Sequence, residues 1–311
     1  MNSSIRWGRY LPWLLLVLSV CLVAFQVQRP RVLISVGVPW AEVGCMALVM
    51  TPIVLVGGID LSIGSVVALC GILLGTLMQS FGWSPNAAIC MTVAAGAVAG
   101  SINGLLVTLG VSPLVTTLAT MAFFRGLAMS ISSAHSIKGF PESFLESSVW
   151  GGLPVQYALL LLAFLTVGFF VHWTTFGRWV FAIGDNRLAA RFAAVPDRRV
   201  DFVLYMNCGL MASLVAIANA MRDDVAMPDA HVGMELRAIA CIVVGGTLIT
   251  GGHGSIPRTL LGLAVVANLD VALGLLSTRI QQITSESRMI VTGALLVAVA
   301  IWSERTEGAP R

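Results

Sequence analysis

The 311 residues are 57% hydrophobic and 11% charged, with a mean hydropathy of +0.91, whereas soluble domains carry roughly 25% charged residues. A water-soluble fold is excluded. The formal net charge of +3, from 18 basic and 15 acidic residues, is no excess of the kind that binds nucleic acid.

About 20 apolar residues are needed to cross about 30 Å of hydrocarbon. Apolar runs recur at 11–27, 34–56, 62–80, 87–109 and 113–133, then at 155–172, 201–221, 236–250, 256–276 and 289–303. The chain is therefore expected to be an all-α polytopic membrane protein with about ten transmembrane helices. No long polar stretch separates the runs, so residues 1–311 are read as one membrane domain.

Arg6 and Arg9 precede the first run and no A-x-A-like cleavage site follows it, which predicts an uncleaved first helix with its head in the cytoplasm. An even number of spans returns the C-terminus to the same side, together with the arginine-rich segment Arg178 to Arg199. Arg29 and Arg31 run against this orientation.

Gly71 and Gly75, then Gly96, Gly100 and Gly104, are spaced by four and share a helix face where another backbone can come close. Two glycine-rich segments precede later helices: Gly57-Gly58-Ile59-Asp60-Leu61-Ser62-Ile63-Gly64-Ser65, and Gly245-Gly246-Thr247 running to Gly251-Gly252-His253-Gly254-Ser255. Their glycines suit tight turns, and Asp60 suits a helix N-cap or, alternatively, a solute contact.

Cys21, Cys45, Cys70, Cys90, Cys208 and Cys241 all fall in apolar runs without a C-x-x-C pair, and read as small hydrophobes. His135, His172, His231 and His253 are scattered near span ends, so no metal site or other cofactor is expected. The single lysine, Lys138, stands in Ser136-Ile137-Lys138-Gly139. A Walker A loop needs G-x-x-x-x-G-K-[ST], so the chain is not expected to hydrolyse ATP or to be an enzyme.

The segment 173–200 is too polar to span. Asp185 or Asn186 can cap a short helix in it, with Leu188, Phe192 and Val195 on one apolar stripe and Arg187 and Arg191 on another face. Phe176, Gly177, Arg178, Ala182, Gly184, Asn186, Ala189, Ala190 and Arg191 resemble the cytoplasmic coupling loop of the ribose-type sugar ABC transporter permeases, whose pattern is F/L-G-R-x-x-x-A-x-G-x-N-x-x-A-A-R. Ala194 and Val195 stand where that family usually has Gly and Ile, and Arg187 where an acidic residue is common. The Gly57 to Ser65 segment, Leu118-Ala119-Thr120-Met121 leading to Arg125-Gly126, and Glu235-Leu236-Arg237-Ala238-Ile239-Ala240 running into Gly245 are similar to it in the same order.

The resemblance implies a permease in the bacterial inner membrane, importing a monosaccharide or sugar-like molecule. It also implies a second permease subunit, two separate ATPase subunits and a periplasmic sugar-binding protein, with lipid as the other neighbour. Gly177, Arg178, Gly184, Asp185, Asn186, Arg187, Ala189, Ala190 and Arg191 would then couple to the ATPase.

Polar residues inside spans are the remaining handle, because they are expensive in hydrocarbon. Asn103, Thr117, Thr120, Arg125, Asn268 and Asp270 are candidates for the translocation pathway, with side chains suited to a solute's hydroxyls. Arg125 has a second reading, as a structural residue ion-paired to Asp270 or bonded to backbone carbonyls. A secondary transporter or channel is the competing class, and it has no need of a docking helix.

Overall fold

The computed structural model describes residues 30–277 and Gly293. The expected span 11–27, the expected span 289–303 apart from Gly293, and the arginines Arg6 and Arg9 lie outside the described residues. The helices are α1 (Pro30–Leu55), α2 (Ile63–Gln79), α3 (Pro85–Thr108), α4 (Pro113–Ile131), α5 (Glu142–Leu145), α6 (Val155–Trp173), α7 (Thr175–Asp185), α8 (Arg187–Phe192), α9 (Asp197–Asp223), α10 (Met234–Val244) and α11 (Ile256–Ser277). Four two-residue strands, β1 (Ile137–Lys138), β2 (Val149–Trp150), β3 (Leu153–Pro154) and β4 (Val225–Ala226), form the antiparallel pairs β1–β4 and β2–β3.

Among the described residues six helices, α1, α3, α4, α6, α9 and α11, are long and apolar enough to cross a membrane. Each expected span from 34–56 to 256–276, except 236–250, coincides with a helix. The span expected at 236–250 is corrected, because α10 has only 11 residues. At about 1.5 Å per residue it covers about half of the hydrocarbon thickness.

What stops α10 also stops α1. Gly57 and Gly246 take φ of +79° and +82°, the left-handed conformation that glycine adopts at little cost. At the end of α1 the Gly57 N–H donates to Val54 O and the Gly58 N–H to Ile53 O; at the end of α10 the Gly246 N–H donates to Val243 O and the Thr247 N–H to Ile242 O. This paired pattern is a Schellman cap in both places. The two glycine-rich loops also meet, since the Gly252 N–H donates to Leu55 O at 2.9 Å.

The core is built around α1, whose most apolar window is 94% buried, against 17% for α6. Cys45, Met46, Leu48, Met50, Ile53 and Leu55 are its innermost residues. The stripe Gly96, Gly100, Gly104 faces α9, as its spacing predicts: a Cβ at Gly100 would lie 2.3 Å from Tyr205 O, and one at Gly209 would lie 2.2 Å from Gly96 O. Gly71 and Gly75 face extended chain instead, with Ala226 and Ile137 opposite them. Cys90 is exposed on the chain's surface, whereas Cys45, Cys70, Cys208 and Cys241 are buried.

Candidate functional site

Three places hold the residues singled out in the sequence. The first is an elbow at one end of the bundle. The expected short helix is α8, capped at its start by Asn186, whose Oδ1 accepts the Ala189 N–H at 3.0 Å; a second helix, α7, precedes it and meets it at that residue. Arg187 fixes the elbow to the bundle: its Nη1 donates to Asp201 Oδ2 at 2.6 Å, and its Nη2 donates to Asp201 Oδ1 at 3.2 Å and to Val56 O at 3.1 Å. Burial alone lowers the Arg187 guanidinium pKa, but its bond to Asp201 and the charges of Asp201 and Asp197 outweigh this and raise it above its usual value. Arg191 Nε donates to Asp197 Oδ2 at 2.8 Å.

The elbow residues divide by direction. Gly177 and Gly184 sit where backbones cross, a Cβ at Gly184 falling 2.0 Å from Leu55 O. Ala190, named among the residues expected to couple to the ATPase, is buried in the core at 4% exposure. Arg178, Asp185, Asn186 and Ala189 are exposed. So are Leu188 and Phe192, at 62% and 83%. They lie four apart on one face of α8, while Val195, the third residue of the expected stripe, packs on the core.

The second place is an interior polar cluster. Asn103 Nδ2 donates to Ser62 Oγ at 2.7 Å, and Ser62 Oγ donates to Asp60 Oδ1 at 2.7 Å. Ser62, not Asp60, occupies the N-cap position of α2; Asp60 instead accepts the Ser62 N–H at 2.9 Å. The half-buried loop carbonyl of Ile59 accepts from Tyr205 Oη at 3.2 Å and Thr117 Oγ1 at 3.5 Å. Thr120 Oγ1 donates back to Thr116 O. These groups satisfy irregular backbone that would otherwise be costly to bury.

The third place surrounds the segment that joins α9 to the half-length α10. It does not stay at the bundle's end. Ala226 lies against Gly71 and the His231 carbonyl against Gly64, so the segment descends along α2. Arg125 Nη1 donates to Pro228 O at 2.8 Å and to Ala230 O at 2.7 Å. The guanidinium is thus bonded to backbone carbonyls and not to Asp270. Behind the segment, Ala68, Gly71, Asn219, Ala226 and His231 line part of a small, open pocket. Irregular backbone at membrane depth is tolerated only where protein buries it or it lines a water-filled cavity.

Asn268 and Asp270 are not brought to any of these places. They lie half-buried on α11, which packs on α10, α1 and α6, and Asn268 Nδ2 donates to Ala264 O. Asp229 escaped the sequence reading because it does not lie within a continuous apolar run; the half-length helix could have been suspected from Gly245-Gly246.

Comparison with known proteins decides the family. The family described as the permease component of the branched-chain amino acid transport system matches residues 38–300. The chain is 34% identical over 309 residues to the ribose import permease protein RbsC of Bacillus subtilis, covering 98% of this chain and 94% of that one. The chain belongs to the ribose-type ABC transporter permeases. As such a permease it also resembles, at 35% identity over 314 residues, the autoinducer 2 import system permease protein LsrD of Yersinia pseudotuberculosis, with 97% of this chain and 92% of that one covered. No solved structure matches. It is a multi-pass membrane transport subunit, and family membership and helix content agree on this.

Proposed function

We propose that this permease imports a monosaccharide or sugar-like molecule, works with a second permease subunit, and is driven by two separate ATPase subunits docked on the α7–α8 elbow. A periplasmic binding protein delivers the solute, and both termini and residues 173–200 are cytoplasmic. The substrate class is supported by similarity to a ribose permease and an autoinducer 2 permease.

The observation that carries the ATP-driven reading is the elbow. Arg187, Gly177 and Gly184 hold it against the bundle, while Leu188 and Phe192 stand out together at 62% and 83% exposure. Two large apolar side chains projecting from a pinned surface helix are the anchors expected of a helix seated in a partner's groove. A transporter driven by an ion gradient has no use for such a fixture.

The test is co-purification with the ATPase subunit expressed alongside. Leu188→Glu and Phe192→Glu should reduce the co-purified ATPase at least tenfold while membrane insertion stays normal. Undiminished co-purification by both variants would remove the elbow from the coupling role.

A further inference from the structure

The chain's exposed faces differ in character. Along the middle of α6 the large exposed residues are apolar: Leu161, Leu162, Leu165, Phe169 and Phe170. That face suits lipid. Around the descending segment the exposed residues are mixed, with Val232 at 71% and Leu236 at 59% exposure beside the exposed charged residues Asp229 and Arg237.

The depth of this mixed face follows from Arg125. It stands twelve residues after Pro113 and six before Ile131 in the spanning helix α4, and its guanidinium holds the carbonyls of Pro228 and Ala230. The segment therefore lies alongside the interior of a span. A charged side chain at that depth faces protein or water, because hydrocarbon penalises it heavily. Arg237 is partly engaged, its guanidinium carbon 5.9 Å from the ring centre of Trp40. Glu235 Oε1 accepts the Gly233 N–H at 3.1 Å.

We propose that the face formed by residues 227–237 lines the water-filled path through the membrane, with Asp229 and Arg237 as the groups it offers to a neutral, hydroxyl-rich solute. A carboxylate accepts and a guanidinium donates hydrogen bonds, so the pair matches hydroxyls in both roles without selecting a charged ligand. The solute class rests on the proposed function; the water-filled path does not. Asp229 was not legible as a pathway candidate, because it lies between the apolar runs.

The test needs neither ATP nor substrate. In a cysteine-free version of the full chain, Val232→Cys and Leu236→Cys should react with membrane-impermeant methanethiosulfonates at least tenfold faster than Leu165→Cys and Phe169→Cys. Adding Asp229→Asn to Val232→Cys should lower the ratio of cationic to anionic reagent rates several-fold, and adding Arg237→Gln should raise it. Equal rates on the two faces, or an unreactive Val232→Cys that cross-links to a second copy, would show a dry interface and overturn the inference. An unchanged reagent ratio would remove Asp229 and Arg237 from the path. Labelling as expected without any sugar uptake would leave the path standing and sink the functional reading instead.

Discussion

Arg187 grips Asp201 with both arms of its guanidinium, at 2.6 and 3.2 Å across fourteen residues, and the second arm also reaches the Val56 carbonyl. One side chain thereby ties α8, α9 and the end of α1. Asp201 is 5% exposed and Arg187 38%, so the pair lies between the exposed and buried cases. Asp201→Ala should cost about 1–3 kcal/mol, above the ~1 kcal/mol limit of surface pairs and below the full buried penalty. Thermal unfolding in detergent would read this, and an unchanged transition would show the pair to be incidental.

Ala189 and Ala190 are adjacent yet face opposite ways. Ala189→Glu should leave expression and monodispersity unchanged and abolish co-purification of the ATPase. Ala190→Glu should instead lower the yield of folded protein, because Ala190 is 4% exposed and an unpaired buried charge is strongly destabilising. Identical behaviour of the two variants would contradict the placement of α8.

Gly100 and Gly126 are a matched pair of helical glycines with opposite surroundings. Gly100→Ala places a methyl 2.3 Å from Tyr205 O, whereas nothing lies within 4 Å of a Cβ at Gly126. The first should destabilise by about 1–3 kcal/mol as α3 and α9 are forced apart. The second should be neutral or stabilise by up to about 1 kcal/mol. Melting curves of both proteins check the contrast.

Arg125 anchors the segment between α9 and α10 through two carbonyls. Hydrogen bonds to charged groups contribute about 1.5–3 kcal/mol, so Arg125→Ala should speed amide exchange of residues 227–233 at least tenfold. Arg125→Lys, which can keep one bond, should fall between. Unaltered exchange in Arg125→Ala would show that the segment is held by other contacts.

The helices were legible in the sequence because burial in lipid or protein demands apolar runs, and of the expected spans among the described residues only 236–250 is not filled by a helix. The truncation of α10 was hidden because residues 245–250, which follow it, are also apolar or small, and hydropathy does not register a Schellman cap. The polar candidates fared unevenly. Asn103, Thr117 and Thr120 share the interior cluster around Asp60 and Ile59, whereas Arg125 and Asp270 had been linked only by opposite charge. Spacing places a residue on a helix face, but which faces meet is decided by tertiary contacts between residues far apart in the chain. The same limit applied to Ala190, whose small size fits close approach to a partner and to its own core equally well.

The most direct measurement is solute uptake into proteoliposomes that contain this permease with its second subunit and ATPase, supplied with binding protein and radiolabelled ribose or a related sugar. Uptake should require ATP and the binding protein, be abolished by Ala189→Glu, and be unaffected by collapsing ion gradients. Uptake by the permease alone, driven by an ion gradient without ATP, would contradict the account.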